Sequence, residues 1–408
     1  MALRPRVAFE DLGADVLVLI LSKLWMNKRL EVSSLSRKLR MILSPTLFRA
    51  VRWAPLRREF PPPAALRPYV QYAPHTSSKA YLTYSRMIVL AGDMTIVQTE
   101  RGRETTTDLD YAAITAAFRE GIPHLPLLTV LELAENMDRG LWPELLEALS
   151  LSPTLTRLFI DASWLSSKRQ TPFQLRPTTT RLRMVIYPMT VSEPMARRRP
   201  RAIDIEGNNL RIVLESCRGT LENTVIPAEL LFRAIDYSMH WSALQTIVVE
   251  GFWPYELEER EISPYNTPPP QDSRSPLLRF LEALPNLRST TLNICAAAED
   301  PDDLAYIVGP HHAPPLYPDS FLRHLEFFQF SSMQTDERIL FFLPRGLRTL
   351  TFGQYPLQLD DGAQQPAVTA STLLDVFTQI DFPDLEALEI QYVVDELKKS
   401  MLSKIYSS

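Results

Sequence analysis

Leu128-Thr129-Val130-Leu131-Glu132-Leu133 sets the reading of this chain, because its six-residue grammar, apolar at positions one, four and six, keeps returning. Leu155 to Ile160 repeats it 27 residues later. Leu244 to Val249, Leu287 to Leu292, Leu322 to Phe327, Leu347 to Phe352 and Leu385 to Ile390 follow, with Thr allowed at position four, and weaker copies are read at Leu182 and Leu210. Positions one, four and six point into a common core, while two, three and five cannot all be buried. Short helices are read between the strands at Pro143 to Leu149, Ala228 to Tyr237, Pro276 to Leu284, Asp336 to Leu343 and Thr372 to Ile380, most of them ending in Pro or Ser. Such a strand-plus-helix unit is incomplete without its neighbours, so residues 111–396 are expected to stack into one α/β array.

Two insertions interrupt the pattern. Glu256 to Pro276 contains Pro268-Pro269-Pro270, and Ala296 to Pro318 contains Glu299-Asp300-Pro301-Asp302-Asp303 and the pair His311-His312. Both are read as padding between repeats rather than as binding loops. Ahead of the array, residues 54–110 are read as a Pro-rich linker and transition, and residues 397–408 as a polar C-terminal tail.

The N-terminal stretch Asp11 to Trp53 is different. Leu12, Val16, Leu17, Ile20, Leu21 and Leu24 fall on one apolar stripe of a helix beginning near Gly13. Leu35, Leu39, Ile42 and Leu43 form a second stripe, with Ser33 or Ser34 as its cap and Pro45 as its stop. About 40 residues cannot bury two such stripes by themselves. The face therefore docks onto the rest of the chain or onto another protein, and the spacing alone does not choose.

Asp15-Val16-Leu17 with Ile20-Leu21 and Leu24, then Leu35-Ser36-Arg37 with Leu39-Arg40, then Pro45-Thr46-Leu47-Phe48-Arg49, resembles the F-box of fungal proteins. The departure is Leu12-Gly13 where that family has Leu-Pro, which loses the fixed φ that starts the first helix. The resemblance covers residues 8–53. It implies that Leu12, Val16, Leu17, Ile20, Leu24, Leu35 and Leu39 bind a Skp-family adaptor, and through it a cullin-RING ubiquitin ligase. The repeats, spaced by 27 and 25 residues where they are most regular, resemble leucine-rich repeats. That implies a horseshoe solenoid with strands on the concave side, capturing a protein substrate. The fold class expected is therefore α/β: a small all-α F-box followed by an irregular leucine-rich-repeat solenoid.

Charge is uneven. Residues 1–60 carry 12 Lys and Arg against 5 Asp and Glu, and the remainder 31 against 43, so a head of +7 precedes a body of −12. By the resemblance, a basic head suits an acidic adaptor; nucleic acid would need basic residues along a face of the fold and is the weaker reading. The densest basic run, Arg197-Arg198-Arg199-Pro200-Arg201, reads as a solvated loop in preference to a nuclear import signal. Acidic residues interrupt the apolar run near the N-terminus, against a signal peptide, and no apolar run approaches the ~20 residues of a membrane span. The expected location is cytoplasmic, nuclear or both.

Chemistry is not expected. Cys217 and Cys295 offer no disulfide framework and no zinc spacing, and Cys217 reads as a buried hydrophobe. The 12 glycines form no phosphate cradle, His311 and His312 lack a third ligand, and no serine sits in a nucleophile elbow. No cofactor or metal is called for. The substrate surface is instead read from the strands: a position-five row of Glu132, Phe159, Val248, Thr291, Glu326, Thr351 and Glu389, and a position-two file of Arg288, Arg323 and Arg348. Three guanidinium groups in file would suit an acidic or phosphorylated segment, although Arg after the leading Leu is also an ordinary solvated choice. Two functions remain open: a non-catalytic substrate receptor of a ubiquitin ligase, or a stand-alone repeat scaffold with the N-terminal helices as its cap.

Overall fold

The computed structural model describes residues 9–53, 67–68, 84–90, 95–99, 102–106, 110–134, 142–160, 181–187, 200–252, 274–295, 306–331, 336–353 and 369–392. The chain divides into two units, residues 1–168 with 178–181, and residues 169–177 with 182–408. Each is α/β, built on a largely parallel sheet.

The first unit opens with three helices, α1 (Ala14–Leu21), α2 (Met26–Leu35) and α3 (Arg37–Leu47). Strand β1 (Ala50–Trp53) follows directly and pairs antiparallel with the short β2 (Arg67–Pro68) and parallel with β3 (Met87–Leu90). A separate hairpin joins β4 (Thr95–Thr99) to β5 (Gly102–Thr106). Helix α4 (Tyr111–Gly121) leads to β6 (Val130–Leu133), and α5 (Pro143–Ser150) to β7 (Arg157–Ile160). The sheet order is β2-β1-β3-β6-β7.

The second unit runs β8 (Met184–Ile186), α6 (Pro200–Ser216), β9 (Asn223–Pro227), α7 (Leu231–Ala234) and β10 (Thr246–Phe252). It continues with α8 (Pro276–Glu282), β11 (Ser289–Cys295), β12 (Phe327–Ser331), β13 (Thr349–Gly353), α9 (Ala370–Phe377) and β14 (Ala387–Ile390). Its strands pair in parallel and in chain order from β8 to β14.

One hydrogen-bond motif fixes the register of successive repeats within each unit. The carbonyl at position two accepts two N–H groups, from positions two and three of the next strand. Arg49 O accepts from Arg86 (2.9 Å) and Met87 (3.1 Å), and Arg288 O from Glu326 (2.8 Å) and Phe327 (3.0 Å). The same pair of bonds recurs at Arg86 and Thr129 in the first unit, and at Arg183, Glu222, Gln245, Glu326 and Arg348 in the second. Positions one, four and six are buried in the repeats from Ser85 onward that have a successor in their sheet, as at Leu128, Leu131 and Leu133 or Leu347, Leu350 and Phe352.

This motif corrects several expectations. Repeats begin at Phe48 and Ser85, so Met87–Leu90 of the expected linker are a strand within the sheet. They were hidden because Phe and Ser, not Leu, stand at position one. The expected repeat at Leu210 is instead buried in the 17-residue α6, and the repeat is Leu221-Glu222-Asn223-Thr224-Val225-Ile226. Gly207-Asn208-Asn209 disguises this helix as a turn. Gly207 is there for close packing: a Cβ would lie 2.6 Å from Cβ of Arg233.

The repeat expected at Leu322 starts at Leu325. Leu325 donates its N–H to Leu322 O (2.8 Å), so Leu322, with φ +50°, anchors the turn before the strand. Leu125, Trp241 and Leu284 hold the equivalent buried positions three residues ahead of Leu128, Leu244 and Leu287. Two apolar sites three residues apart made the register ambiguous in sequence.

Helices are shorter than expected at Ala228–Leu230 with α7, and at Ile339–Phe342, where turns are 3-10. Part of the expected padding is core. Ile307 and Val308 are buried, and the buried Glu337 carboxylate accepts N–H bonds from Ile307, Val308 and Ile339, each 2.8 Å. Burial raises the Glu337 pKa against the lowering effect of these bonds. Residues 256–273 of the insertion expected at Glu256 to Pro276, and the tail at 397–408, lie outside the described residues.

Candidate functional site

The N-terminal helices form a small module with a closed inside and an apolar outside. Gly13 precedes α1 with φ −58° and ψ 149° and supplies no side-chain cap; its carbonyl accepts from Leu17 N (3.0 Å). Arg29 closes the other end of α1, donating from Nε to Leu21 O (3.1 Å) and from Nη2 to Ser22 O (2.6 Å). A cation there also complements the helix dipole. Arg40 Nε makes the corresponding contact to Ser33 O (3.3 Å) near the end of α2. Part of the basic charge of this region thus serves its own helix ends.

Helix α2 has no counterpart in the expected pair of helices. Met26 to Leu35 has no continuous apolar stripe, and Ser33 and Ser34 are inside it, donating to Leu30 O and Glu31 O. The cap of α3 is Ser36, whose Oγ accepts from Leu39 N (3.2 Å). Pro45 does not stop α3, which continues to Leu47. A proline removes one N–H and disfavours helix at Ser44, yet Leu43, Leu47 and Phe48 are all buried beyond or beside it, and that packing holds the last turn.

Leu17, Leu21, Leu39, Leu43, Leu47 and Phe48 form the core of the module, with Leu12, Leu24, Leu30, Val32, Ile42 and Tyr84 packed against it. The residues implied as an adaptor-binding face therefore divide. Leu17 is 0% exposed and Leu39 2%, so both are core; Leu12 and Leu24 are half-buried; Val16, Ile20 and Leu35 are exposed, Leu35 at 74%. Sequence reasoning missed other members of this outer surface: Leu19 extends the Val16–Ile20 flank at helical spacing, and Trp25, 84% exposed, stands between α1 and α2 beside Met26. The signal was present in Trp25, since a large aromatic at a helix break has no turn of its own to pack on.

The strand face of the second unit differs from its expected form. In register, position five reads Ile186, Val225, Val248, Thr291, Gln329, Thr351 and Glu389, so Gln329 replaces Glu326. In the first unit Val89, Glu132 and Phe159 align, with Glu132 and Phe159 half-buried. Position two is not a file of guanidinium groups. Arg288, Glu326, Arg348 and Glu386 alternate, with Arg288–Glu326 at 3.9 Å and Arg348–Glu386 at 3.8 Å. Arg323 is exposed in the turn ahead of β12, where its Nε donates to His324 Nε2 (2.9 Å). Alternating charges leave no excess positive potential for a phosphorylated segment.

A polar chain crosses the same face: Gln329 Nε2 donates to Asn293 Oδ1 (3.0 Å), and Asn293 Nδ2 to Glu250 Oε1 (3.2 Å). These amides rigidify three adjacent strands and were illegible while the register of β12 was three residues out. His312, whose pKa is lowered by burial and by His311, packs near the Tyr306 ring. Among the described residues no three His, Cys, Asp or Glu side chains are grouped to hold a metal, and no helix is long and apolar enough to cross a membrane. Cys217 is buried, its thiol directed at Val213 O (3.3 Å). Arg197 to Arg199 lie outside the described residues, and Pro200 and Arg201 begin α6. No protein-family model matches the chain, and no curated protein matches it.

Proposed function

We propose that this chain is the substrate-recognition subunit of a Skp-cullin-F-box ubiquitin ligase, with α1 to α3 as its F-box and a leucine-rich-repeat array as its substrate-binding part. One observation carries the reading. The three helices close their own core and still expose Val16, Leu19, Ile20, Trp25 and Leu35, a surface of the kind that anchors another protein. The chain performs no catalysis in this reading. It acts by proximity, holding a protein substrate beside a charged ubiquitin carrier so that transfer proceeds at a high effective concentration. Its place is the cytoplasm, the nucleus or both. The substrate contacts in this reading fall on the strand face of the second unit, along Val248, Thr291, Gln329 and Thr351. Because the position-two row is self-neutralised, the substrate is read by shape and neutral hydrogen bonding more than by charge.

A second reading, a stand-alone scaffold capped by its N-terminal helices, draws on Phe48, which belongs to the module core and also opens the first repeat. The test that separates them uses the full chain, purified Skp-family adaptor and the variants Ile20→Glu and Leu35→Glu. Binding by the parent chain, weakened about 30-fold or more in variants with an unchanged melting temperature, is expected; a hot-spot loss of ~2 kcal/mol corresponds to that factor. No binding by the folded parent chain, or equal binding by the variants, overturns the ligase reading and leaves the scaffold.

A further inference from the structure

The strand face of the second unit carries one charge that nothing on the face neutralises. Along β9 to β13, positions three, five and seven alternate with the buried four and six, and of the residues there Glu250 alone is charged. In register it stands between Pro227 of β9 and Asn293 of β11, and no Lys, Arg or His pairs with it among the described residues. The ion pairs of the position-two ladder lie five residues away along the strands, about 16 Å, too far for their guanidinium groups to reach it. Glu250 is half-buried, so it has lost part of its hydration and gained one amide bond in return.

The direction of the hydrogen bonds follows from that carboxylate. A carboxylate only accepts, so Glu250 Oε1 draws Nδ2 of Asn293 (3.2 Å). Asn293 Oδ1 then faces β12, where it accepts from Gln329 Nε2 (3.0 Å), and this leaves Gln329 Oε1 with no hydrogen bond among the described residues. The chain of bonds therefore ends in an acceptor on each side, the second oxygen of Glu250 and Oε1 of Gln329, on strands about 10 Å apart. Val248, two residues before Glu250, and its register partner Thr291 are both half-buried and give methyl surface for an alkyl stem.

We propose that Glu250 anchors a cationic side chain, an arginine or a lysine, of a protein segment lying across β10 to β12. Arginine matches best, since its guanidinium has five donors and no acceptor, and the N–H groups of such a segment suit Gln329 Oε1. The inference rests on the reading of this face as the surface that takes a protein substrate, and it names the chemistry taken there: one basic residue in an otherwise neutral stretch. An acidic or phosphorylated segment meets a like charge at the same point.

The test is selection of short random displayed peptides against the full chain, followed by titration. Selected peptides are expected to share an Arg or Lys, to shift the side-chain amide resonances of Asn293 and Gln329, and to bind Glu250→Gln at least about tenfold more weakly than the parent. Glu389→Gln, which removes an exposed carboxylate on β14, is the control and leaves affinity unchanged. Replacing the shared basic residue of the peptide by a neutral analogue, citrulline or norleucine, should cost the parent chain the same factor and cost Glu250→Gln nothing further. The parent arm of that comparison decides the matter if Glu250→Gln fails to fold. Peptides without a basic residue that still shift Asn293 and Gln329, or equal binding by parent and Glu250→Gln, overturn the cationic anchor and keep the face as a binding surface. If no selected peptide shifts these two amides, the anchor and the substrate reading of the face both fall. Adaptor binding plays no part in any of these outcomes.

Discussion

Leu35 and Leu350 are leucines that sequence periodicity assigns to apolar stripes, yet 74% of one is exposed and none of the other. The difference lies in the number of neighbours each element has. A three-helix module has one inside, so residues on a stripe wider than that inside remain in water. A strand of a parallel stack has a neighbour on each side, and its inward positions are covered whatever lies at the surface. Among the described residues, apolar residues at stripe positions stay exposed at the outer face of α1 to α3 and at Leu388 of β14.

The sharpest way to break this contrast is truncation on both sides of it. Leu131→Ala and Leu292→Ala remove fully buried side chains and are expected to cost about 2–5 kcal/mol each, whereas Leu35→Ala and Ile20→Ala should stay within ~0.5 kcal/mol, all measured by chemical denaturation. Comparable losses at both sets would mean that the outer face is core. A smaller effect, about 1–3 kcal/mol, is expected for Gly251→Ala at the end of β10. Its φ of +135° is strained for any other residue, and a Cβ would lie 2.5 Å from Glu229 Oε2. Gly346→Ala, with nothing within 4 Å of the added Cβ, is the control and should be near neutral.

Position four of the repeats sharpens the contrast further, because two buried threonines occupy it. Thr224 Oγ1 donates to Val185 O (3.0 Å), while Thr290 Oγ1 has no hydrogen-bond partner among the described residues. Thr224→Val should lose about 1 kcal/mol and Thr290→Val should gain up to ~1 kcal/mol, so their denaturation midpoints move in opposite directions. The smallest effect belongs to the exposed ladder. Arg348→Ala, which removes a 3.8 Å pair with Glu386, is expected to change stability by less than ~0.5 kcal/mol and to leave the melting temperature within about 2 °C.

The α/β class, the recurrence of the strand at Leu128, Leu155, Leu244, Leu287, Leu347 and Leu385, and the helices at Pro143 and Pro276 were legible in the sequence. Each follows from local grammar: apolar spacing set by the chain's own geometry, with Pro or Ser marking the helix ends. The exposed candidates Val16, Ile20 and Leu35 were legible too, but only mixed with Leu17 and Leu39. A stripe records which residues are apolar, and the width of the surface that covers it is a property of neighbouring helices.

What only the tertiary structure decided depends on contacts between distant residues. The register of β12 turned on Leu325, not Leu322, because the carbonyl of Arg288 selects Glu326 and Phe327 as its donors across the sheet. That one choice moved Glu326 from the position-five row to the position-two row, set it between Arg288 and Arg348, and replaced a file of like charges by a neutral ladder. The long α6 and the strand at Ser85 were hidden for a related reason: Gly207 and Ser85 look like breaks until the close approach of Arg233 and the flanking strands β1 and β6 are in place. Sequence determines the period of the apolar positions, since that is fixed by backbone geometry one residue at a time. Partners, register and exposure are fixed by which segments meet, and no local pattern carries that information.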